Sequence, residues 1–194
     1  MISKHALAKF LKKSNAGRLA NSELDQLKEE FAQNKRGSTD LYMLVNILAL
    51  NGCREFESEF AQLALYSDED DIRFISLLAL MYHFNLCEKY APYLQEILSR
   101  NYSTPDDYKL YNGLQICTWI FQEYKNETLL SSVMRVLCDE NADSLTRAMA
   151  HAAALRYLDL TQKEVLEEDR EEINSIEEIS PVLKTKLLDN YLSV

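Results

Sequence analysis

The residues that could do chemistry are few and scattered. His5, His83 and His151 are the three histidines of a 194-residue chain, and Cys53, Cys87, Cys117 and Cys138 are its four cysteines. No cysteine belongs to a CxxC pair, so the spacing of a zinc site or a redox motif is missing. No Ser-His-Asp or His-Cys cluster and no glycine-rich phosphate loop is visible. His151 stands in an alanine-rich stretch, where a packed, hydrogen-bonded imidazole is the expected role. Cys87 is the least implausible reactive thiol, and a thiol in a turn between helices is ordinarily inert. The expectation is a chain with no catalytic residue, no cofactor, no metal and no small-molecule substrate.

What remains is the chemistry of binding. Helical spacing sets Glu55, Glu59, Gln62 and Tyr66 on one stripe, and Lys89, Tyr93, Glu96 and Arg100 on another. A third stripe holds Glu164, Glu167, Glu168 and Glu171. These are the expected partner-binding residues, with Tyr66 and Tyr93 as the aromatic anchors most open to solvent. The chain has eleven tyrosines and one tryptophan, Trp119. Such side chains combine an apolar body with a polar tip and anchor many interfaces.

Charge narrows the partner. The formal net charge is -10. Residues 1–36 carry eight Lys/Arg against four Asp/Glu, residues 37–158 nine against 17, and residues 159–178 two against nine. Affinity for nucleic acid rests on cations that neutralise phosphates, so DNA and RNA are not expected ligands. A basic protein is the natural complement, since opposite charge speeds encounter. The start, from Met1 to Lys9, lacks the apolar stretch of a secretory signal, and no run of about 18 apolar residues exists to span a membrane. Cytoplasmic location with reduced thiols is the simplest expectation.

These stripes need helices to carry them. Four glycines and three prolines are too few for the many tight turns of a sheet protein. Residues 4–13 read as a first helix broken at Asn15-Ala16-Gly17, and residues 23–33 as a second, capped by Asn21 or Ser22 and closed at Gly37. Four further helices open near Asp40, Asp71, Asp107 and Asp143, with spacings of 31, 36 and 36 residues. An acid suits the positive end of a helix dipole. Second helices are expected near residues 54–65, 88–99, 127–138 and 163–172, with Thr161 opening the last. Asn51-Gly52-Cys53 and Asn85-Leu86-Cys87 fill matching turns 34 residues apart. Ser180-Pro181 starts a final helix that runs to about Tyr191. The total is about eleven helices in antiparallel pairs, all-α, in one domain.

The pattern also repeats. Ile72-Arg73 followed by Ser76, Ala79 and Leu80 returns 74 residues later as Thr146-Arg147 followed by Ala150, Ala153 and Ala154. Runs such as Leu77 to Met81 are apolar nearly all round, as in a helix sandwiched between neighbours. The arrangement of Asp71, Arg73, Ser76, Ala79 and Leu80 resembles the HEAT-like helical repeat. Asp143, Arg147, Ala150, Ala153 and Ala154 match it with a register slip of about two after the Asp. The third repeat keeps Asp107 but carries Asn112 and Gln115 where small residues belong, and the first keeps only Asp40. The resemblance implies an α-solenoid, a right-handed superhelix of hairpins: capping helices over 1–37, four repeats over 38–175 and a capping helix over 176–194. It implies a concave face lined by second helices, with Arg73 and Arg147 bridging adjacent repeats. It implies no activity. A compact acidic chain of this kind is similar to bacterial immunity proteins that neutralise basic toxin domains. A scaffold that binds a peptide or helix in its groove is the alternative. HEAT-like DNA-repair glycosylases and phycobilin lyases fit less well, because the first need a basic face and the second a reactive Cys or His.

Overall fold

A computed structural model describes residues 2–33, 41–99, 108–158 and 171–188. Among these residues every regular element is helical. The chain divides into two compact units, Met1–Leu86 and Cys87–Val194.

The first unit begins with α1 (Lys4–Asn15) and α2 (Asn21–Gln33), both packed on α3 (Leu41–Leu50). α1 closes at the expected break. Gly17 takes φ +62° and its N–H donates to the Ser14 carbonyl, while the Arg18 N–H donates to the Lys13 carbonyl. Gly52 takes φ +66° at the end of α3 and makes the same kind of close. α2 starts earlier than its composition suggested. Glu23 accepts from the Ala20 N–H at 3.0 Å, so Ala20 precedes the first turn and Asn21 and Ser22 lie within it. The expected close at Gly37 lies outside the described residues. A short tight turn, Arg54–Phe56, leads into α4 (Glu57–Tyr66), which packs on α5 (Asp70–Leu78). α5 widens into a π-turn over Ala79–His83 and also packs on α3. The core is marked by a run of rings: Phe31 meets Phe56 and Phe60 edge-on at 4.9 and 5.5 Å, and Phe60 stacks on Phe84 at 5.7 Å.

The second unit comprises α6 (Cys87–Ser99), α7 (Tyr108–Ile120), α8 (Glu127–Cys138), α9 (Ser144–Tyr157) and a last short helix, α10 (Pro181–Leu183). α9 is its hub, packed on both α7 and α8, while α6 packs on α7 and α8. Asn126 caps α8 by accepting the Leu129 N–H at 2.9 Å. Ser180 caps α10 through the Leu183 N–H at 3.3 Å, with Pro181 at the first helical position as expected. The α-helical part ends at Leu183 and continues as a π-turn over Lys184–Leu188. Tyr191, Thr161 and the bulk of the expected helix over 163–172 lie outside the described residues. Glu171 and Glu172, at its expected end, are not helical.

Two details correct the repeat register. Asp71 is the second residue of α5, and Glu69 precedes the helix where Asp143 precedes α9, 74 residues on. The Arg73 N–H donates to the Glu69 carbonyl just as the Arg147 N–H donates to that of Asp143. The slip after Asp143 therefore disappears, and Ile72, Ser76, Leu77, Ala79 and Leu80 are buried like Thr146, Ala150, His151, Ala153 and Ala154. Asp40 and Asp107 lie outside the described residues.

The second correction concerns the arginines. Arg73 approaches Asp70 of its own helix at 3.9 Å, and its Nε, like that of Arg147, is buried without a hydrogen bond. Arg54 and Arg135 reach between helices instead. Arg54 donates to the Phe84 carbonyl at the end of α5's π-turn and lies 5.8 Å over that ring. Arg135 of α8 donates to the Leu98 carbonyl of α6 at 2.8 Å. A cation near a helix C-terminus meets carbonyls with no partner in their own helix, which favours this placement.

Asp143 carries a pH-dependent part of α9. Its carboxylate accepts from the Thr146 N–H at 2.9 Å and from the Thr146 hydroxyl at 2.6 Å. Desolvation raises its pKa, but hydrogen bonds from Thr146 and from the Leu145 and Asp143 backbones together outweigh it and the pKa is lowered. A depressed carboxylate stabilises the fold above its unfolded pKa and loses that contribution as pH falls through the native value. Asp143→Ala is expected to cost about 1 kcal/mol at neutral pH. The difference from wild type in urea unfolding is expected to shrink below about pH 4.

Candidate functional site

The first predicted stripe is real as a surface. Glu55 lies in the turn before α4, and Glu59, Gln62 and Tyr66 follow along one side of that helix, all exposed. Tyr66 keeps 76% of its surface open at the last turn. Asp68, Glu69 and Asp71 continue the exposed acids just beyond it. One charge is partly spent. Glu55 pairs with Lys28 of α2 at 2.8 Å, and that hydrogen bond holds its carboxyl below the usual range. The acids nonetheless exceed the cations along this edge, since Arg54 and Arg73 are turned to helix carbonyls and to Asp70.

The second stripe differs. On α6, in the other unit, Lys89 and Glu96 are exposed and Tyr93 is half-buried. The Lys89 ammonium lies 5.3 Å over the Tyr90 ring. Its signs are mixed, so α6 is not an acidic surface by itself. Arg100, Glu164, Glu167 and Glu168 lie outside the described residues, and Glu171 is exposed.

A groove that the sequence did not announce runs between α6 and α8. It encloses about 640 Å³ and is lined by Gln95, Ser99, Thr128, Ser131, Arg135 and Cys138, among others. The Ser132 hydroxyl donates to the Thr128 carbonyl at 3.2 Å, and Arg135 is occupied by Leu98. Most of the lining surface is apolar, and its polar groups are Gln95, Ser99 and the hydroxyls of α8 together with one cation, Arg135, and one anion, Asp139. The signal was the step Thr128, Ser131, Arg135 along the third second helix, for which no stripe had been drawn.

The thiols and imidazoles sit in quiet places. Burial pushes the Cys87 thiol up to about 11, and it pushes those of Cys53, Cys117 and Cys138 up as well. A thiol so shifted stays protonated near neutral pH and is a poor nucleophile. His83 is half-buried, with its pKa lowered by desolvation, and its ring meets Tyr82 edge-on at 5.1 Å. His151 is fully buried and its Nε2 accepts the Ser180 N–H at 3.2 Å, the hydrogen-bonded role expected of it. Among the described residues no group of three His, Cys, Asp or Glu could hold a metal ion, and no helix is long and apolar enough to cross a membrane.

Of the large apolar side chains most open to solvent, Leu50, Tyr82, Tyr108, Trp119 and Leu145 belong to α3, the turn that extends α5, α7 and α9, and Tyr66 alone belongs to a second helix. No protein-family model, curated protein or solved structure matches the chain.

Proposed function

We infer that this chain is a non-enzymatic protein-binding module of stacked HEAT-like hairpins, whose acidic surface docks a basic protein partner. The partner that best fits is a toxin domain with a cationic active site, which would make the chain its immunity protein. Within each unit the packing supports a stack: α3 lies on α5 and α7 on α9, while α4 and α8 each lie on the first helix that follows. Repeats in contact with their neighbours present broad surfaces and need no enclosed site.

The observation that carries this reading is the α4 edge. Glu59, Gln62 and a 76% exposed Tyr66 stand in a row beside Asp68, Glu69 and Asp71. An exposed tyrosine among carboxylates offers a basic protein both an aromatic anchor and charge complementarity. The alternative, a scaffold holding an extended peptide, draws on the α6–α8 groove, whose hydroxyls can both give and accept backbone hydrogen bonds.

One experiment separates them. The tagged chain is used to capture proteins at about 50 and about 500 mM salt. A basic protein is expected at low salt, lost at high salt and lost in Glu59→Lys with Tyr66→Ala. Loss in Ser131→Lys, with the α4 variant unaffected, would favour the groove. Capture of nucleic acid would remove both readings.

A further inference from the structure

Of the three histidines only His151 is fully buried, and its side chain ties the segment over 171–188 to α9. A backbone N–H can only donate. The ring nitrogen that meets the Ser180 N–H at 3.2 Å is Nε2, so Nε2 carries no proton in this arrangement and the imidazole is neutral. A proton added there turns the acceptor into a donor and sets two N–H groups against each other. The hydrogen bond and the imidazolium exclude one another.

The described surroundings also disfavour a charge. α7 and α8 pack on α9, and their buried side chains are apolar apart from Cys117, whose thiol burial keeps protonated. The other titratable groups of those two helices, Tyr108, Lys109, Tyr111, Glu127, Arg135 and Cys138, are half-buried or exposed. In the segment itself Ile173, Ile179, Ser180 and Leu183 are buried, while Glu171, Glu172, Glu177, Glu178, Lys184 and Lys186 are half-buried or exposed. On α9, Asp143 lies two turns away with its carboxylate held by Thr146, and Arg156 and Tyr157 lie in the last turn. Arg147 stands one turn before His151, and a guanidinium there opposes a second cation.

We propose that His151 is an acid-sensitive latch, and that proton uptake by its imidazole releases the segment over 171–188 from α9. α9 is held by two long helices, whereas the segment is tied to it by the Ile173 N–H on the Ser144 carbonyl and by the Ser180 N–H on His151. An element with few ties opens locally before the whole fold does. The released form takes up a proton that the docked Nε2 refuses, so docking is fully present above the pH at which a free histidine titrates, about 6.5, and weakens as pH falls below it. One linked proton changes the equilibrium by up to about tenfold per pH unit. Carboxylates titrate near pH 4, which leaves histidine as the side chain that changes charge between about pH 6.5 and 5. The latch is independent of the docking of a basic partner on α4, which lies in the other unit.

The test uses the full chain, with amide exchange read as protection relative to an unstructured chain between about pH 7.5 and 5. Protection at Ile173 and Ser180 is expected to fall at least about tenfold between pH 6.5 and 5, while that of α7 and α8 holds. The amide oxygen of His151→Gln can accept the same N–H and does not titrate, so this variant should lose the pH dependence and be the better protected of the two at pH 5. His5→Gln and His83→Gln should keep the wild-type dependence. The nitrogen resonances of the wild-type ring give a second reading that needs no variant. Nε2 of His151 is expected to be unprotonated at pH 7.5 and to become protonated over the same range in which Ser180 loses protection. Constant protection down to pH 5 overturns the proposal, and so does a ring that stays neutral while the segment opens. A loss that persists in His151→Gln, or one shared equally by α7 and α8, overturns it as well.

Discussion

Replacing His151 with alanine is expected to lower stability by about 4 kcal/mol, through a cavity and an orphaned amide together. The imidazole is fully buried, at the position in α9 that Leu77 fills in α5. Its Nε2 accepts the N–H of Ser180, itself 0% exposed, at 3.2 Å. Ser180 in turn caps α10, and upstream the Ile173 N–H donates to the Ser144 carbonyl. The segment over 171–188 is thus tied to α9 at two points, one of them a side chain. Truncation removes the acceptor and leaves a buried donor with no water to replace it. Two further variants divide the effect. His151→Leu restores most of the volume, as Leu77 shows, but leaves the Ser180 N–H unpaired. His151→Gln offers an oxygen at a reach close to that of Nε2. Urea unfolding is expected to rank wild type above Gln, Gln above Leu and Leu above Ala. Amide exchange at Ser180 should quicken most in Leu and Ala. If Leu equals wild type, the hydrogen bond does not hold the segment.

Much of this fold is legible in the sequence, because helix ends are written in local chemistry. Gly17 and Gly52 close helices through positive φ, which side-chain-bearing residues seldom adopt. Asp143 and Ser180-Pro181 open helices with the side chains that satisfy free N–H groups. Asn85 shows the limit. It takes φ 55° at the turn after Phe84, one position before the residue that matches Gly52 at a spacing of 34. The registers of Glu69 and Asp71 were also confused, since Asp, Glu and their neighbours all suit a first turn and only the backbone shows which one precedes it. The bridging role was given to Arg73 and Arg147 because they recur. Recurrence marked a shared packing position, while Arg54 and Arg135 reach the neighbouring carbonyls because of where the adjacent helices end.

The candidate site was legible only in part. An exposed Tyr66 beside acids follows from helical spacing, and the structure places it so. Hydrophobic pattern cannot separate a face covered by its own chain from one left open, so the exposure of Trp119 and Leu145 is not written in it. The α6–α8 groove depends on how far apart two helices stand, which no periodicity records.

Helix separation also sets the second large effect, expected at Gly113 of α7, which packs closely on α6. The third repeat was read as departing from pattern at Asn112, yet a small residue stands one place further on. A Cβ added to Gly113 would lie 3.0 Å from Ile97 Cγ2, 3.3 Å from Leu98 Cδ2 and 3.5 Å from Leu94 Cδ1. The first two distances are tighter than ordinary contact, so the Ile97 and Leu98 side chains would have to give by a few tenths of an ångström. In an open helix, Gly→Ala stabilises by about 1 kcal/mol through propensity alone. Here overpacking, typically about 1 to 3 kcal/mol, opposes that gain. Gly113→Ala is therefore expected to destabilise by about 1 kcal/mol net, and Gly113→Leu by about 3 kcal/mol. The sign of the alanine variant in urea unfolding is decisive, since stabilisation would mean that the helices do not approach so closely. Ile97→Val removes only the δ-methyl and leaves Cγ2 in place, so it should not rescue Gly113→Ala. Ile97→Ala removes Cγ2 and should relieve part of the strain. Coupling between positions 97 and 113 in a double-mutant cycle would locate the effect at this contact.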